Sequence, residues 1–128
     1  MKFITKICQA DVPNKNGRTY PRELLEGLTK TKPDEVILGH LGMDAGRGAF
    51  VDMHRVSHTV SSMRIDEEGY LVCAVTVLDT PNGKILKDLL EAPLSDISFR
   101  TAGFANIDKD GIISNFKLIS INAVSEGA

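Results

Sequence analysis

Serine-type hydrolysis needs a hydroxyl within reach of a base, a third group that holds the base, and N–H donors for the developing oxyanion. Ser98 stands in Ile97-Ser98-Phe99-Arg100-Thr101-Ala102-Gly103, a β-prone run that ends in small residues. His40 closes a short apolar run and is followed by Gly42, Gly46 and Gly48, which puts its imidazole at the mouth of a flexible loop. By type the two can serve as nucleophile and base. Spacing alone does not pair them: the chain has three histidines, serines are many, and a packed, hydrogen-bonded serine is the commoner use.

Two other groups have types that suit a cation. His54 and His58 form an HxxxH pair that His40 would complete as a three-histidine site, although zinc also needs oriented ligands and a hydrogen-bonded surround. A packed histidine in a strand is the competing reading. Asn106, Asp108, Asp110, Gly111 and Ile113 fall where a calcium loop places its residues, but the twelfth position, which requires a bidentate Glu, holds Lys117. That stretch therefore reads as a hairpin turn, and the chain is expected to use neither metal nor cofactor.

The elements that must position these residues follow from pattern. Residues 1–10 read as an edge strand, and Pro13-Asn14-Lys15-Asn16-Gly17 as an exposed turn. Pro21 opens a short helix with Leu24, Leu25 and Leu28 on one face. Residues 35–38 form a buried strand running into Gly39-His40. Between Phe50 and Ile65 the apolar alternation changes parity, which predicts a bulge near His54-Arg55. Residues 70–78 are apolar at nearly every position and read as a central strand covered on both faces. Thr80-Pro81 starts a second helix that ends at Pro93. Strands over 94–101, 104–107 and 112–124 complete the chain, the last two joined by a turn at Asp110-Gly111. The sum is an α+β domain spanning residues 1–128, with a mostly antiparallel sheet able to close into a barrel and two short amphipathic helices.

Composition narrows the function classes. The 128 residues are 42% hydrophobic, enough for one core, and 15 basic against 17 acidic side chains leave a net charge of -2. That balance offers no electrostatic footprint for nucleic acid or an anionic membrane. No apolar run approaches the roughly 18 residues that span a bilayer. Cys8 and Cys73 lack metal or CxxC spacing and read as core thiols in a reducing, cytoplasmic setting.

A set of short segments, in order, resembles the prohead (capsid maturation) protease family of tailed bacteriophages, in its T-even-like branch, which shares its fold with the herpesvirus assemblins. They are Asn14-Lys15-Asn16-Gly17-Arg18-Thr19-Tyr20-Pro21, Leu38-Gly39-His40, Arg55-Val56-Ser57-His58-Thr59-Val60, Leu78-Asp79-Thr80-Pro81-Asn82-Gly83-Lys84, and Ile97-Ser98-Phe99-Arg100-Thr101-Ala102-Gly103.

The resemblance implies a serine endopeptidase that works in the host cytoplasm inside the assembling procapsid, as a homo-oligomer, on scaffold and major capsid proteins. It assigns Ser98 as nucleophile and His40 as base. His58 is first choice as the residue that orients the base, with Asp52 and Asp44 as alternatives, and Phe99, Arg100 and Thr101 form the oxyanion and substrate region. Proteases of this branch are expected to cut after Glu in an apolar-x-Glu context. Val124-Ser125-Glu126 fits that pattern and makes Glu126 a candidate self-cleavage point, while Leu24-Leu25-Glu26 and Leu89-Leu90-Glu91 fit it on helices, where packing protects them. The rival expectation is a non-catalytic capsid or tail-tube-like subunit on the same fold.

Overall fold

The computed structural model describes residues 1–31, 35–42, 51–92 and 96–125. Its elements are β1 (Lys2–Gln9), α1 (Arg22–Thr31), β2 (Ile37–His40), β3 (Val56–Ile65), β4 (Tyr70–Val77), α2 (Pro81–Glu91), β5 (Ile97–Ile107) and β6 (Ile113–Ser125). The α+β class and the two helices expected from the pattern are both present.

The apolar run of β4 takes the central place its composition predicts. It lies between β1 and β3 in a four-stranded antiparallel sheet ordered β1-β4-β3-β2, and residues 71–75 are buried without alternation because both faces are covered. β1 is an edge strand, as expected. The second sheet is the long antiparallel ribbon β5–β6. Leu41, just past β2, bridges Ala123 of β6 in parallel sense, and the Gly42 N–H donates to the Ala123 carbonyl at 2.7 Å. β1 and β5 touch without ladder pairs, so among the described residues the two sheets adjoin but do not close into a barrel.

Both helices lie against the four-stranded sheet. α1 buries Leu25 completely, with Leu24 and Leu28 beside it, against β3 and β6. α2 buries Leu86 against β3 and β4. Its start is fixed by sequence: the Thr80 hydroxyl accepts from Gly83 N–H at 2.9 Å, and Pro81 occupies the first turn, where no N–H is needed. Burying one leucine of this kind is worth roughly 2 kcal/mol.

Two details differ from the pattern reading. Leu94 and Ser95 lie outside the described residues, and from Ile97 the chain runs as the single strand β5 where two strands were expected; the break expected at Gly103 is a register shift inside the β5–β6 ladder. A side chain at Gly103 would collide with the Lys117 backbone, so glycine permits the strand to continue. The parity change between residues 51 and 60 is not a bulge at His54-Arg55. Residues 53–55 form a turn ahead of β3, and the slip falls at Ser57, where β2 pairs Gly39 with His58 but His40 with Val56. Alternation cannot separate a bulge from a turn followed by a strand. The predicted turn at Asp110-Gly111 is present: Asp108 Oδ1 accepts from the N–H groups of Asp110 and Ile112, and Gly111 has φ +83°.

Gly39 occupies the tightest point of the sheet junction. A Cβ there would strike both His58 Nε2 and the Ile121 carbonyl. Gly39→Ala is therefore expected to lower unfolding free energy by about 3 kcal/mol, the upper end for forcing atoms into a packed core. A urea midpoint within error of the wild type would contradict this.

Candidate active site

β5 separates its side chains by parity. Phe99 faces the core, 3% exposed, with its ring 5.7 Å from Phe3 and 5.2 Å from His58. The ladder pairs Phe99 with Ala123, Ser98 with Val124 and Arg100 with Asn122, without a register shift over this stretch. Ser98, Arg100, Asn122 and Val124 thus leave the ribbon on the side opposite Phe99. With its ring packed in the core, Phe99 can serve the expected oxyanion region only through its backbone.

β2 delivers His40 to the same seam. His40 is 1% exposed, and its N–H donates to Asn122 Oδ1 at 3.0 Å. His40 therefore lies beside the residue that is one same-side step along β6 from the partner of Ser98. Its ring is held from the turn that precedes β3: the Asp52 N–H donates to His40 Nε2 at 3.3 Å. In the neutral ring this bond puts the proton on Nδ1 and leaves the lone pair on Nε2, the arrangement a general base requires. At 3.3 Å it is longer than the usual N–H bond, and an incoming hydroxyl can compete with it.

That turn is fastened on three sides. Asp52 Oδ1 accepts from His54 N–H at 3.0 Å, Arg55 Nη2 donates to the Leu41 carbonyl at 2.8 Å, and Asn82 Nδ2 donates to the Arg55 carbonyl at 3.1 Å. The Thr80 hydroxyl adds a bond to the Val56 carbonyl at 2.7 Å. The cap of α2 thus fixes the segment that touches His40. The Asp52 carboxylate binds within the turn, and the contact with His40 is made by the Asp52 backbone. Asp44 and Glu126 lie outside the described residues.

His58 is fully buried and has both ring nitrogens engaged: Nε2–H donates to the Ile121 carbonyl at 2.7 Å, and Nδ1 accepts from the Ser57 hydroxyl at 2.7 Å. A carbonyl can only accept, which fixes this tautomer. Its bonds hold β3 to β6 beneath Gly39 and do not run to His40. His54 is exposed on the turn, so the HxxxH residues share no face, and no three metal-ligating residues converge among the described residues.

A cavity of about 530 Å³ opens beside Ser98, between β1, β5 and the loop after β1. Its walls include Lys15, Arg18 and Arg100 and, among the described residues, no carboxylate. The loop is pinned by Asn14 Oδ1, which accepts from the N–H groups of Asn16 and Arg18, and by a bridge between Thr19 and Ile112. Tyr20 closes one end, its hydroxyl 2.8 Å from Thr101 Oγ1, and burial raises its pKa.

Pattern reading does not assign roles to Asn122, Ser57 and Gly39. The available signal was a polar residue inside the apolar run 118–124 and a serine directly preceding a strand histidine.

Comparison with protein-family models and with curated protein sequences yields no match. Among solved structures, the bacteriophage T4 capsid assembly protease, gp21, superposes with a TM-score of 0.74 at 23% identity, covering 96% of this chain and 80% of that one. The chain has the fold of a phage capsid assembly protease. The superposition takes in nearly all of this chain.

His58 ties this seam to pH. Burial pushes its pKa down from 6.5 to about 4; the Ile121 carbonyl, which favours the N–H form, works against that shift, and the neighbouring His40 adds to it. The fold needs the neutral ring, whereas the unfolded chain takes up a proton near pH 6.5. This contribution is present in full above about pH 6.5 and is lost as pH falls towards 4. Between pH 7.5 and 5 the wild type should lose about 2 kcal/mol more unfolding free energy than His58→Gln, by urea titration at each pH. Parallel pH profiles for the two proteins would rule this out.

Proposed function

We propose that this chain is a serine endopeptidase of phage procapsid maturation, acting on scaffold and major capsid proteins inside the assembling procapsid. What supports the reading is the seam itself: a strand serine opens onto a cavity, and it lies one step from the residue that binds His40, within a fold like that of a capsid assembly protease.

In this reading Ser98 Oγ attacks the scissile carbonyl while His40 Nε2 takes its proton. The same nitrogen then returns the proton to the leaving amine, and water hydrolyses the acyl-serine by the reverse proton path. The Asp52 N–H selects the tautomer, then yields Nε2 as the hydroxyl approaches. His58 contributes as a neutral strut that keeps β2 and β6 in register. The N–H groups of β5 around Arg100 that point away from β6 supply the oxyanion contacts.

The cations around the cavity suit an acidic substrate side chain, in keeping with cleavage after Glu. Self-processing at Glu126 follows the same rule, whereas Glu26 and Glu91 stand on α1 and α2, whose buried leucines hold them in helical form. A homo-oligomer within the procapsid completes the proposal.

The test is co-assembly with the scaffold and major capsid proteins of the same phage. Wild-type protein should cut the scaffold, and Ser98→Ala and His40→Ala should each reduce the rate by at least about 10³-fold with the fold intact. Equal cleavage by wild type and Ser98→Ala would remove Ser98 as nucleophile. An assembled wild type that cuts nothing would favour a structural capsid or tail-tube-like subunit.

A further inference from the structure

β2 changes partners at His40. Up to Gly39 it follows β3 in register; at His40 the pairing slips past Ser57 to Val56, and the next residue, Leu41, bridges Ala123 of β6. A backbone N–H at such a switch needs a new acceptor, and at 1% exposure His40 is shut off from solvent. The Ile121 carbonyl already receives His58 Nε2–H. Asn122 Oδ1 takes the His40 N–H at 3.0 Å, and Asn122 is itself 1% exposed. Across the ribbon Asn122 pairs with Arg100, two residues beyond Ser98. One side-chain amide therefore fastens the backbone of His40 to the strand pair that carries Ser98.

We propose that Asn122 is a positioning residue for the Ser98–His40 pair, its side-chain oxygen setting where the base stands relative to the nucleophile. The inference rests on the serine-protease reading. The amide accepts the bond without bringing charge to the imidazole; a carboxylate would accept it and add a negative charge. Among the described residues, the titratable or charged groups around His40 are His58 of β3, Asp52 and Arg55 of the preceding turn, and Arg100 opposite Asn122.

The test compares wild type, Asn122→Ala and Asn122→Asp as full chains, by scaffold cleavage and by NMR titration of the His40 ring. In Asn122→Ala, kcat should fall about 100-fold with KM little changed, the size expected for a displaced catalytic group. Asn122→Asp keeps the acceptor, so it should regain most of that loss at high pH, with the acid limb of its rate profile and the His40 titration both moved up by about one unit. A purely structural role would lower stability and leave kcat of the folded Ala or Ser variant at the wild-type value. If Asn122→Ala does not fold, Asn122→Ser, with a shorter and displaced oxygen, takes its place. The inference is overturned if a folded Ala or Ser variant keeps the wild-type kcat, or if His40 titrates alike in wild type and Asn122→Asp. The titration needs no substrate. A wild-type chain that cuts nothing would therefore sink the protease reading, while the Asn122 contact would still be decided by NMR.

Discussion

The bond from His58 to the Ile121 carbonyl is the constraint on which the rest of the seam depends. Among the described residues the two sheets share little ladder, a parallel bridge at Leu41 and Ala123, so side chains must supply the connection. An imidazole suits the task because it is flat, accepts on one edge and donates on the other. It spans from Ser57 to Ile121 at 2.7 Å on each side and fills the space a side chain at Gly39 would take. This arrangement holds only for the neutral ring, and burial favours that form. The Ile121 carbonyl serves His58, and the His40 N–H is taken by the side chain of the next residue, Asn122. The two bonds share one stretch of β6, Ile121-Asn122, so the strut and the hold on His40 stand or fall together.

The second dependence runs through α2. Thr80 caps the helix with one lone pair of its hydroxyl and donates to Val56 with its proton, while Asn82 in the first turn holds the Arg55 carbonyl. Gly83 lets this turn approach the Leu78 and Ser57 carbonyls more closely than any side chain would allow. A helix terminus far along the chain thus fixes residues 52–57, and through them the Asp52 N–H that meets His40. The capping motif is a local stability device whose geometric effect is felt at the histidine.

Much of the framework was legible in the residues. β4 is apolar at nearly every position, and Thr80-Pro81 announces a helix start, because both signals are local and strong. The two helices and the strand bearing Ser98 follow for the same reason. The residues that tie His40 to the β5–β6 ribbon were not legible. Asn122 acts through a contact across 82 positions of sequence, and His58 across 63, and neither alternation nor spacing records a partner so distant. His58 carries a second lesson. A histidine four residues from His54 invites a shared face, but the turn at 53–55 puts one on the surface and the other in the core.

β5 shows how one strand divides its side chains between a packed core and a polar seam. Its odd residues serve packing: Phe99 is wedged between Phe3 and His58, and Thr101 is bonded to Tyr20. Its even residues, Ser98 and Arg100, face the seam and border the cavity. Because the side-chain period of a strand is two, the burial of Phe99 fixes the direction of Ser98 and Arg100. A one-residue slip would bury Ser98 and expose Phe99, losing core and seam together. A large aromatic beside the proposed nucleophile is therefore an anchor: its burial against the His58 ring couples the register of β5 to the same strut that sets His40 in place.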